Sequence, residues 1–133
     1  MSLDQSALVT AARDLLERAD PMTAGIWPRA TALLARQALE AALDDLWSLR
    51  APGVGQCSVH AQLLCLPYYL GSDDTLAEGV SYTWAGLSHA VHHHPYELPP
   101  TSAELLEWLT TVEQLVNSVR SACARAPGAI KEP

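Results

Sequence analysis

A chain of 133 residues, 49% of them hydrophobic, is long enough for one domain that buries roughly two-thirds of the surface its unfolded form exposes. No apolar run reaches the roughly 18 to 20 residues that a membrane span needs, so no membrane association is expected. The formal charge of -7 at pH 7, with only eight Lys and Arg, repels a phosphate backbone and argues against bulk nonspecific nucleic-acid binding.

The first segment places Leu3, Ala7, Leu8, Ala11, Ala12, Leu15, Leu16 and Ala19 at the three-four spacing of one helical face. Ser2 with Gln5 three residues later suits a capping box, and Asp20-Pro21 closes the helix because a residue before proline avoids the α region. Met1-Ser2-Leu3-Asp4 carries no basic region, so this segment reads as an amphipathic helix and not as a signal peptide. Pro28 suits the first position of a second helix, where its missing N–H costs nothing, and helix formers continue to Arg50. This is the longest helix that the sequence predicts. Its core face holds Ala32, Ala35, Leu39, Ala42, Leu43 and Leu46, with Gln37, Ala41, Asp44 and Ser48 opposite. Ala51-Pro52-Gly53-Val54-Gly55 then breaks the chain.

A shorter helix follows from about Ser58 to Leu70, kinked or ended early by Pro67, with Gly71 as its C′ residue. Thr75-Leu76-Ala77-Glu78 spells a capping box for the fourth helix. That helix carries an apolar stripe of Leu76, Val80, Trp84, Leu87 and Val91 and ends near His94, before Pro95. Thr101-Ser102-Ala103-Glu104 repeats the device after Pro99-Pro100. The fifth helix then runs Leu105, Leu109, Val112, Val116, Val119 and Cys123 in steps of four and three. Nothing reads as a strand and no internal repeat occurs. The expected fold is therefore all-α, a single-domain helical bundle of about five helices over residues 1–126, with a flexible C-terminal tail at 127–133.

Cys57, Cys65 and Cys123 are odd in number and form no CxxC pair, so they read as small core or near-core residues of a cytoplasmic protein. No cofactor is implied, because the nucleophile elbow, the phosphate-binding glycine loop and the dinucleotide fingerprint are all missing.

Three features are candidates for function. Gly79, Thr83, Gly86 and Ala90 line one edge of the fourth helix. Each glycine costs a helix interior about 1 kcal/mol relative to alanine, so another backbone must come close there. That neighbour is either a helix of the same chain or a second copy in a homodimer. Next, Ser88-His89-Ala90-Val91-His92-His93-His94-Pro95-Tyr96-Glu97-Leu98 gathers four of the five histidines at one helix end. By helical angle His94 continues the apolar stripe, whereas His89, His92 and His93 lie toward Tyr82 and Glu78. A helix C-terminus itself favours imidazolium. His89 and His93 at i and i+4 would also present two nitrogens to a metal ion, although further ligands would have to come from His60, a cysteine or a carboxylate. Finally, Arg36 and Glu40, one turn apart at the margin of the second helix's apolar face, form a half-buried polar pair whose members depend on each other, either as a structural pair or as part of a polar network to the His segment.

The run Arg29-Ala30-Thr31-Ala32-Leu33-Leu34-Ala35-Arg36-Gln37-Ala38-Leu39-Glu40, followed by a helix-terminal His and a proline-bounded helix, resembles the HEPN superfamily of small helical bundles. The likeness spans residues 28–124. It implies a cytosolic protein that dimerises through the helices bearing its motif. The superfamily includes RNA-cleaving toxins, phage-defence effectors and members without nuclease activity. Its motif is an arginine followed after four to six residues by a histidine. His94 matches that histidine, His89 stands where the arginine would be, and Ala90 takes the place of the polar residue often found beside it.

These readings lead to three expectations. The first is a HEPN-like interaction or accessory domain, homodimeric, with a protein partner or RNA. The second is a metal-independent endoribonuclease of toxin or phage-defence type, with His94 as general acid or base, His89 on the phosphate and Tyr96 positioning substrate. The third is a helical protein that binds metal through histidine.

Overall fold

The computed structural model describes residues 4–18, 27–70, 74–92 and 97–129. Among these residues the chain forms six α-helices: α1 (Gln5–Glu17), α2 (Trp27–Arg50), α3 (Pro52–Gly55), α4 (Val59–Cys65), α5 (Asp74–Val91) and α6 (Ser102–Ala129). A 3-10 turn over Leu66–Tyr68 prolongs α4, and the described residues contain no strand. The all-α expectation holds. None of these helices is long and apolar enough to cross a membrane.

Alanine places α2 at the centre. Ala32, Ala35, Ala38 and Ala42 are fully buried, and side chains this small let neighbouring helices approach closely. Accordingly α2 packs against α1, α5 and α6, while α1 and α5 each also reach α6. Between the alanines, Leu39, Leu43, Leu46 and Trp47 supply bulk, and from α6 Leu105, Leu109, Val112, Leu115 and Val119 meet them in one core. Each fully buried leucine contributes about 1.5–3 kcal/mol through removal of apolar surface from water.

The helix ends follow local chemistry, with several differences from the expectations. Asp4 caps α1, its side chain accepting from Ser6 N at 3.0 Å and Ala7 N at 3.4 Å. The helix is thus capped at Asp4, and the Gln5 amide, expected in a capping box, turns to α2 instead, donating to the carbonyl of Ala41 at 3.3 Å and to the Asp45 carboxylate. The same contact explains why Ala41, expected on the solvent side of α2, is buried under α1. Pro52 sits in the first turn of α3, so the Pro-Gly segment forms a helical turn where an irregular break was expected. Ser58 caps α4 by accepting from Ala61 N at 3.2 Å, and Pro67 falls in the 3-10 turn that ends it.

Helix α5 begins at Asp74, which puts Thr75 inside the helix and removes it from the expected capping position. Its last helical residue is Val91, with His92 N donating to His89 O at 3.3 Å, so the helix closes earlier than the expected end near His94. The capping box of α6 is formed: Thr101 N donates to Glu104 Oε1 at 2.9 Å and Glu104 N to Thr101 Oγ1 at 3.1 Å. With 28 residues against 24, α6 and not α2 is the longest helix. It continues to Ala129, past Ala126 where the sequence placed its end. Cys65 and Cys123 are half-buried against the core, but Cys57 is exposed in the turn after α3, contrary to expectation. Gly71, Ser2 and Asp20-Pro21 lie outside the described residues.

Candidate functional site

The second half of α5, the segment 97–100 and the first turns of α6 enclose a groove of about 540 Å3. Two local decisions build it. The Thr101–Glu104 cap fixes where α6 starts, which carries Trp108, one turn beyond Glu104, to the flank of α5. Gly86 then lets the indole in: a Cβ at that position would lie 2.6 Å from Cζ2 and 2.9 Å from Cε2 of Trp108, well inside van der Waals contact.

The lining is mostly apolar, with Ala85, Gly86 and Ala90 from α5, Leu98, Pro99 and Pro100 from the entering segment, and Trp108 from α6. Polar groups come from Arg29 at the start of α2, Tyr82 and His89 on α5, His92 just beyond its end, and Glu97 and Glu104. His89 Nε2 donates to Glu97 Oε1 at 2.8 Å, tying the end of α5 to the segment that leads into α6. Both side chains are more than half exposed, so this pair contributes at most about 1 kcal/mol to stability and mainly fixes position.

No family model, curated protein or solved structure matches this chain. The site must therefore be judged on its own chemistry.

Of the small-residue edge on α5, Gly79 faces Thr111, whose Cγ2 would be 3.7 Å from an added Cβ, and Gly86 faces Trp108. Both belong to α6 of the same chain. Thr83 is buried and Ala90 is half-buried against the core beside the groove. His89 lies on the exposed side of α5 with Tyr82 and Glu78, as the helical angle indicated. His93, His94 and Tyr96 lie outside the described residues. Among the described residues no group of three or more His, Cys, Asp or Glu could hold a metal ion.

Arg36 and Glu40 form the expected pair at 3.0 Å, about one-third exposed, at some distance along α2 from Arg29. Their real partner is Trp84 of α5. Its Nε1 donates to Glu40 Oε2 at 3.0 Å, and the Arg36 guanidinium lies 5.7 Å from the Trp84 ring centroid. One carboxylate oxygen thus accepts from both side chains and joins α2 to α5.

Trp108 is the lining residue that sequence reasoning missed. Gly86 did mark a close approach, but the sequence reading expected another backbone there, and the structure places side chains instead, the Trp108 indole at Gly86 and the Thr111 methyl at Gly79.

Proposed function

We propose that this chain is a HEPN-like interaction or accessory module of the cytoplasm, homodimeric, which holds a partner group in the groove between α5 and α6 and performs no catalysis of its own. The observation that carries this reading is the Glu97 carboxylate 2.8 Å from Nε2 of His89. In an RNA-cleaving reading His89 receives the scissile phosphate. A carboxylate already on that nitrogen competes for the same donor and repels the incoming anion. The groove itself suits recognition, being concave, largely apolar and bordered by a few fixed polar groups. Tyr82 and Leu98, 71% and 93% exposed at its edge, add apolar surface on which a second copy of the chain would pack.

The reading is tested by incubating the protein with single-stranded RNA beside a His94→Ala variant of unchanged helical content. Intact RNA in both is the expected result. Cleavage by the unaltered protein that the variant loses would replace the binding module with an endoribonuclease. Light scattering in solution should give the mass of a dimer, and a monomer mass would remove the homodimer from the proposal.

A further inference from the structure

We infer that the groove takes a small aromatic cation, a flat ring carrying an ammonium group. This rests on the binding-module reading and adds to it the chemical class of what is bound. Size is the first ground, because a volume of about 540 Å3 falls within the roughly 300–1,000 Å3 typical of small-molecule sites.

Charge complementarity is the second ground. Among the described lining residues, Glu97 and Glu104 stand against one guanidinium, that of Arg29, in a chain whose formal charge is -7. Two carboxylates against one guanidinium, in an acidic chain, favour a cation over an anion there. Both carboxylates are also held in place beforehand, Glu97 by His89 and Glu104 by the Thr101 cap. Fixed acceptors lose little freedom when a ligand binds. The third ground is the aromatic content of the walls. Tyr82, 71% exposed at the groove's edge, offers a π-system whose negative face favours a cation, and it sits with Trp108, Leu98 and Pro99 along surface that a ring would cover.

Three matched probes separate these grounds by titration calorimetry near neutral pH: 2-phenylethylamine, 2-phenylethanol and 3-phenylpropionate. The amine should bind tightest, by roughly tenfold over the carboxylate, since attraction at a partly solvated rim is replaced by repulsion. Glu97→Gln should weaken the amine by about threefold and leave the alcohol unchanged. Tyr82→Ala, at an exposed position, should weaken all three. Equal affinities, or a preference for the carboxylate, in a protein that leaves RNA intact would overturn the ligand class while the binding module stands. Absence of binding by all three at millimolar concentration would overturn this inference as well. His94-dependent RNA cleavage would instead overturn the reading on which it rests.

Discussion

The indole of Trp108 occupies the space that a side chain at Gly86 would need, with an added Cβ falling 2.6 Å from Cζ2. A glycine in the middle of α5 costs about 1 kcal/mol in helix propensity, and here that cost is offset by the burial of a tryptophan to 8% exposure. The same contact shapes the groove, because both residues line it. The packing of α5 on α6 and the wall of the groove therefore share one pair of residues on facing helices.

Gly86→Ala should consequently destabilise the fold despite the better helix former. Overpacking costs about 1–3 kcal/mol and the propensity gain returns about 1, which leaves a net loss of about 1 kcal/mol. Urea unfolding followed by circular dichroism should show a lower midpoint with an unchanged slope. A raised midpoint would mean that the indole moves aside at no cost, and the close contact would not account for the glycine.

Glu40 should matter more to stability than Arg36, although they form one ion pair. Removing Glu40 takes the acceptor from both the Arg36 guanidinium and the Trp84 indole. Removing Arg36 leaves the indole bond intact. Because the pair is about one-third exposed, we expect about 1–2 kcal/mol for Glu40→Ala and less than about 1 kcal/mol for Arg36→Ala. Unfolding curves for the two variants decide this, and equal losses would mean that the indole bond is worth no more than the contact of Arg36 with the Trp84 ring, which Arg36→Ala also removes.

How much of this was legible beforehand depended on the range of the interaction. The core positions of α2 and the periodic face of α6 repeat at helical spacing, and their burial follows from that local pattern. The α6 cap is local too, with Thr101 and Glu104 three residues apart. Gln5, expected in a capping box of α1, has its partner on α2, a contact between residues far apart in sequence. Trp84 on Glu40 and Trp108 on Gly86 depend likewise on how α5 lies against α2 and α6. For the site, the sequence singled out His89 and the small-residue edge of α5. It gave no indication that Glu97 would close on His89 or that Trp108 would complete the wall.

Gln62 is buried among the helices with both ends of its amide occupied. Its Oε1 accepts from Trp47 Nε1 at 2.9 Å and its Nε2 donates to the carbonyl of Cys57 at 2.9 Å. Gln62→Leu keeps the volume but strands a buried indole N–H and a backbone carbonyl. We expect a loss of about 1–3 kcal/mol, with α4 and the turn before it exchanging amide hydrogens faster than α2 or α6. Uniform exchange and unchanged stability would show that the leucine repacks and water satisfies both groups.

Acid should act on two carboxylates in opposite directions. Arg13 Nε donates to Glu113 Oε2 at 2.8 Å, and that hydrogen bond holds the Glu113 carboxyl below its ordinary value against an opposing effect of burial. Burial raises the Asp44 carboxyl, with Asp45 and Glu40 adding repulsion. For Glu113, folding favours the ionised form, so its contribution is complete above the unfolded carboxylate range and is lost as pH falls through the folded value. For Asp44, folding favours the protonated form, so a penalty exists above its folded value and is relieved as pH falls through it. With Arg13 and Glu113 about one-third exposed, Glu113→Gln should lower stability near neutral pH by less than about 1 kcal/mol. Asp44→Asn should raise it by a similarly small amount. Both differences should shrink as pH falls through the carboxylate range, that of Asp44 first because its folded value is raised and that of Glu113 later because its folded value is lowered. Urea midpoints at neutral and acid pH check the signs, and two variants moving the same way at neutral pH would contradict the opposed environments from which the prediction is drawn.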